Sequence, residues 1–306
     1  MGQGVAILGL FPERIRKILQ VKVKQSDSLE EIRLRVGQPV RIKQGEKELV
    51  LQEEQKLGMR DLTETLNGFC KDSPYAFAEE LQQGFLTMPG GHWVGICGQV
   101  ILDDQMHIRN IKHVSYLNIR IAHQVPGCAD PLLPYCFQND VFQNTLIISP
   151  PGAGKTTILR DLIRQVSDGS RDHPGLNVSV VDERSELAGA FMGVPQNDMG
   201  KRTDVLDGCP KALGMLLLLR AMSPELIAVD ELGTEADAEA MLRVLNCGCK
   251  ILCTIHGDDM DSIKEKQFLH KLWENRAFDR FVILARKEKQ HVIKGIYDGD
   301  GICLKE

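Results

Sequence analysis

The chain has 306 residues, 43% of them hydrophobic and 26% charged, with a formal net charge of -5. That length favours two domains, the composition excludes disordered, collagen-like and membrane-spanning classes, and the acidic balance argues against a protein that coats nucleic acid. Nine cysteines behind a start with no basic, apolar leader predict reduced thiols in a cytoplasmic protein, and any membrane association would come through a partner.

The chain opens with a helical pattern from Pro12 to Leu19, followed by the alternating run Glu31 to Val36, a turn at Gly37-Gln38-Pro39, and Val40 to Ile42, which completes a hairpin. Helical periodicity runs from Leu57 to Cys70 and from Pro74 to Gly84. Phe85 to Met88, the turn Pro89-Gly90-Gly91 and the Val/Ile/Gly-rich run Trp93 to Leu102 come next, then alternation from Leu117 to Ala122. Helices followed by strands predict a small α+β domain. Pro126, Gly127, Pro131 and Pro134 break regular structure, so the junction falls within 125–142, dividing the chain into an N-terminal α+β assembly or partner domain (1–135) and a second domain (136–306). There the apolar runs Thr145 to Ile148, Val178 to Val181, Leu226 to Val229 and Ile251 to Ile255 alternate with helices from Lys155, Pro210 and Glu235. This order predicts an α/β fold with a parallel sheet covered on both faces. Arg280 to Leu284 and His291 to Tyr297 read as a terminal strand pair. The apolar stripe Leu216 to Leu219 reads as helix core, and Cys247, Cys249 and Cys253 read as packed thiols rather than zinc ligands.

The strongest chemical signal follows the first of these strands: Ser149-Pro150-Pro151-Gly152-Ala153-Gly154-Lys155-Thr156-Thr157. A triphosphate is held by such a loop, because glycines let backbone N–H groups converge on phosphate oxygens at a helix N-terminus. Lys155 would reach the β and γ phosphates of ATP, and Thr156 would hold Mg2+. Ser149 stands where the usual pattern has glycine, which reads as a tolerated replacement at the start of the loop. A second strand ends in Asp230-Glu231. Asp230 would join the magnesium shell and Glu231 would orient and deprotonate the attacking water. Glu183, after the strand Val178 to Val181, is a competing base. Thr254 and His256 close the next strand, where they could sense the γ phosphate through hydrogen bonds.

The strand carrying Glu183, taken as an extra strand between the phosphate-loop strand and the Asp-Glu strand, resembles the additional-strand, catalytic-glutamate division of P-loop ATPases. Further segments extend the likeness: Glu31 to Gly37, Gly90 to Gly98, Leu117 to Ala122, Val181 to Glu186, Lys201 to Asp207 and Thr254 to Gly257. Together with the loop and Asp230-Glu231 they resemble the stage III sporulation protein AA family of endospore-forming bacteria, relatives of the secretion-superfamily ATPases. Trp93 stands where that family's Gly-Gly-His-Arg pattern has arginine. The resemblance implies a RecA-like ATPase docked on the cytoplasmic, mother-cell side of a membrane-embedded channel to the forespore, acting as a hexameric ring. In such a ring a cation from a neighbouring copy could complete the site, with Arg202, in the turn-rich segment Gly200 to Asp207, and Arg120 as candidates. Two other readings are a nucleotide-dependent scaffold whose hydrolysis is incidental, and a nucleic-acid-associated motor; the acidic charge leaves direct nucleic-acid binding unexpected.

Overall fold

The computed structural model describes residues 7–23, 29–45, 47–71, 77–287 and 290–305. They form two compact units, Met1–His123 with Gly189–Gln196, and Gln124–Ala188 with Asn197–Glu306. The division therefore falls before the expected boundary at 135. Residues past Gln124 belong to the second unit because Ala129 and Leu132 are buried in its core and the Ala129 N–H donates to Asp161 at 2.9 Å. The segment 189–196 lies in the first unit, where Phe191 stacks on Phe77.

The first unit is built on a six-stranded antiparallel sheet, ordered β3-β2-β1-β6-β5-β4. Its strands are β1 (Leu29–Arg35), β2 (Val40–Gln44), β3 (Lys47–Leu51), β4 (Phe85–Met88), β5 (His92–Leu102) and β6 (Ile108–Arg120). Alternation puts Ile32, Leu34, Ile42, Val94 and Ile119 into one core with Ile15 and Leu19 of helix α1 (Glu13–Val23) and Leu62 and Phe69 of α2 (Met59–Phe69). The expected helix from Pro74 is described only as α3 (Ala78–Gln83), closed by Gly84 at φ 79°; 74–76 lie outside the described residues. Outside that core, Trp93 stacks on Phe85 with ring centroids 5.3 Å apart.

The second unit holds an eight-stranded sheet ordered β11-β10-β12-β13-β9-β14-β15-β16, parallel from β11 to β14 and antiparallel beyond. After the short pair β7 (Phe137–Gln138) and β8 (Val141–Phe142) come β9 (Thr145–Ser149), β10 (Val178–Asp182), β11 (Thr203–Asp207), β12 (Leu226–Val229) and β13 (Lys250–His256). The antiparallel end is made of β14 (Arg280–Lys287), β15 (Gln290–Asp298) and β16 (Cys303–Lys305). The longer helices are α4 (Lys155–Asp168), α5 (Lys211–Ala221) and α6 (Glu235–Asn246), before the short α7 (Met260–Lys264) and α8 (His270–Glu274). Successive residues of β9, β10 and β12 are all buried, and their side chains enter two cores on opposite faces.

Two expectations change here. In space the strand between β9 and β12 is β13, carrying Thr254 and His256, whereas β10 flanks β12 on its other side. Position along the chain does not encode position across a sheet. The segment expected as turn-rich around Arg202 forms the edge strand β11, paired in parallel with β10. The apolar stripe on α5 is core on one side only: Met215 and Leu218 are buried, but Leu213 is 59% exposed and Leu217 40%. Cys249 and Cys253 are buried and burial pushes both thiols up, Cys249 to about 12. Near the end of the sheet Trp273 stacks on Phe281 at 5.2 Å.

A candidate nucleotide site

β9 ends at Ser149 and the chain turns through 150–154 into α4. The turn requires left-handed backbone at Gly152 (φ 72°) and Gly154 (φ 83°), which side chains resist. Ser149 closes the strand fully buried and without positive φ, its hydroxyl donating to the Pro150 carbonyl at 2.9 Å. Glycine is therefore not required there. Ala153 is buried and Pro151 exposed, while Gly152, Gly154, Lys155, Thr156, Thr157 and His256 line a cavity of about 330 Å³ at the N-terminus of α4. The first N–H groups and the dipole of that 14-residue helix make this end attractive to an anion.

Parallel pairing of β9, β13 and β12 aligns their carboxyl ends on one edge of the sheet. There the Thr156 hydroxyl donates to Asp230 Oδ2 at 2.7 Å. The Thr254 hydroxyl donates to Asp230 Oδ1 and accepts the Glu231 backbone N–H at 2.8 Å. Lys155 Nζ lies 3.5 Å from Asp230 and 3.4 Å from Glu231, and His256 Nε2 is 3.2 Å from Glu231 Oε1. Glu231 has φ 55°, a left-handed conformation that costs roughly 1–3 kcal/mol for such a residue. Thr156 and Asp230 offer only oxygen, the donor set magnesium takes, so the pair fits that ion.

On the next strand Asp182 is buried and accepts backbone N–H groups from Glu186 (2.9 Å), Leu187 (3.0 Å) and Ala188 (2.8 Å). Burial nevertheless pushes its carboxyl up to about 6. Glu183 beside it pairs with Lys211, the first residue of α5. Both line a second cavity, of about 250 Å³, together with Asp230 and Glu231.

The structure thus brings Lys155, Thr156, Asp230, Glu231 and His256 together, with Glu183 across the second cavity. Arg202 is not among them. Its guanidinium donates to the Ser167 and Asp168 carbonyls (3.0 and 3.3 Å) at the C-terminal end of α4, opposite the loop. Arg120 belongs to the first unit, where its guanidinium lies 4.7 Å above the Trp93 ring. Sequence reasoning missed Lys211 and the clamping role of Thr254. A lysine opening a helix, against the dipole, was a signal for the first.

A glycine-bearing loop between a buried strand and a helix, on a sheet whose next parallel strands carry Thr254 and Asp230-Glu231, defines a RecA-like α/β fold of the P-loop type. The structure is similar to the ATPase DotB of Legionella pneumophila (TM-score 0.63, 14% identity, covering 95% of this chain and 82% of that one). It is also similar to the pilus retraction motor PilT with bound ADP (TM-score 0.61, 13% identity, covering 93% and 81%). The likeness to both is one of fold. The chain belongs to the family described as sporulation stage III, protein AA, whose model matches residues 3–304. It is 39% identical over 299 residues to the stage III sporulation protein AA of Bacillus subtilis (strain 168), across 97% of this chain and 96% of that protein. Among the described residues no helix is long and apolar enough to cross a membrane.

Proposed function

We propose that the chain is a magnesium-dependent ATPase that energises assembly of, or transport through, a channel between mother cell and forespore during endospore formation. It would act on the cytoplasmic, mother-cell side as a homo-oligomer, by likeness a hexameric ring, docked on membrane-embedded channel components. The observation that carries this reading is the contact of Thr156 with Asp230 (2.7 Å) and of Lys155 with Asp230 (3.5 Å) and Glu231 (3.4 Å) beside the cavity of the loop.

In this mechanism the N–H groups of the loop and of the first turn of α4 cradle the phosphates, and Lys155 leaves the two carboxylates for the β and γ phosphates. Thr156 and Asp230 would hold magnesium, which when bound would neutralise charge on the phosphate oxygens. Thr254 fixes the Asp230 carboxylate and the Glu231 backbone. Glu231 aligns a water and takes its proton as the water attacks the γ phosphorus and the bridging oxygen leaves with ADP. His256, within hydrogen-bonding distance of Glu231, orients that carboxylate. Of the two candidate cations from a neighbour, Arg202 would have to release the end of α4, whereas Arg120 would give up an aromatic face.

The test is nucleotide binding and ATP turnover by the purified protein, with and without the channel's membrane components. Lys155→Ala should lose ATP binding, and Glu231→Gln should bind ATP with turnover reduced ~10²–10⁴-fold, the usual worth of a positioned base. Parental turnover in Lys155→Ala would end the nucleotide assignment.

A further inference from the structure

Among the carboxylates that line the second cavity are the two candidate bases, Glu231 and Glu183, and each is tied to a lysine. Glu231 is tied to Lys155 and His256, Glu183 to Lys211. The ties differ in kind. Lys155 sits at the phosphate loop, so an arriving triphosphate competes for it and releases Glu231. Lys211 belongs to neither the loop nor its cavity.

Three further observations make the Lys211 tie a built feature. Lys211 opens an 11-residue helix whose N-terminal dipole repels a cation, a placement that costs stability unless an anion compensates. Its side chain is only 15% exposed, and its ammonium pairs with the Glu183 carboxylate. The backbone that carries Glu183 is held from one side, because the carboxyl of the preceding residue, Asp182, accepts three backbone N–H groups.

Resting on the ATPase reading above, we infer that Lys211 is a positioning residue that holds Glu183 away from the attacking water and so makes Glu231 the sole base. One oxygen of Glu183, Oε2, is engaged by the Lys211 ammonium and so is not free to accept a proton from a water. Removing the ammonium frees that oxygen.

The experiment reads a gain of activity, which damage to the fold does not produce. Turnover is measured in Glu231→Gln, in Glu231→Gln with Lys211→Ala, and in Glu231→Gln with Lys211→Arg. A third change, Glu183→Gln, is then added to the alanine double variant. The inference expects Lys211→Ala to raise turnover of Glu231→Gln at least about tenfold, part of the ~10²–10⁴ that a positioned base supplies. The arginine variant should stay at the Glu231→Gln level, and Glu183→Gln should erase the gain. If the alanine double variant stays at that level, or the gain survives Glu183→Gln, the inference is overturned while the ATPase reading stands. Parental turnover in Glu231→Gln would overturn the base assignment itself, and the inference with it. Loss of ATP binding in Lys155→Ala checks the nucleotide site independently of every one of these outcomes.

Discussion

At the scale of single residues, Thr254 shows how much a small side chain can do when it is fully buried: one hydroxyl serves both the Asp230 carboxylate and the Glu231 N–H. Thr254→Val keeps the shape and leaves both groups without that partner. The expected loss is about 0.5–1.5 kcal/mol for each hydrogen bond removed, seen as a lower midpoint in urea, with a fall in turnover larger than the fall in ATP affinity. An unchanged midpoint would mean that water replaces the hydroxyl. Lys155, Thr156, Asp230 and Glu231 were readable in the sequence because phosphate and magnesium chemistry demands those residue types next to strand ends. Lys211 was not, because its partner lies 28 positions away and only the parallel pairing of β10 and β12 brings the two into the cavity of Asp230 and Glu231.

At the scale of elements, strand β10 is finished by a buried acid. The Asp182 carboxyl, raised from 3.8 to about 6 by burial first and then by the Asp207 carboxylate, holds its proton in the folded state at pH values where the unfolded chain has lost it. The folded protein therefore binds more protons between about 4 and 6, so this group's contribution to stability is full below that window and declines as pH rises through it. Denaturation followed from pH 4 to 7 should show that decline, and Asp182→Asn, though less stable throughout, should show a flatter profile. A parallel profile would mean that the three N–H donors outweigh burial and keep the acid ionised. The strands themselves were legible because fully buried apolar runs of four or five residues stand out between helices. Their order across the sheet was not: β13 entered between β9 and β12, and β11 was hidden because its polar residues, Thr203, Asp204 and Asp207, break the apolar pattern and suit an edge.

At the scale of the whole chain, two compact units were expected, and the junction moved because Pro126 to Pro134, which break periodicity, nonetheless flank residues that pack. Proline marks the end of regular structure, not the edge of a core. The return of 189–196 to the first unit had no signal in composition, since contacts distant in sequence define it: Phe191 on Phe77, Lys71 over the Phe191 ring and the Gly90 N–H on Gln196. One consequence of the packing concerns light rather than chemistry. Each unit contains one of the chain's two tryptophans: Trp93 between Phe85 and Arg120, and Trp273 against Phe281. Their emission is a separate built-in reporter for each unit, isolated by Trp273→Phe or Trp93→Phe. ATP at a hundredfold excess over its dissociation constant should stabilise the unit that binds it by about 2.7 kcal/mol. The emission of Trp273 should then shift to a higher melting temperature while that of Trp93 stays where it was; a joint shift would mean that the two units melt as one.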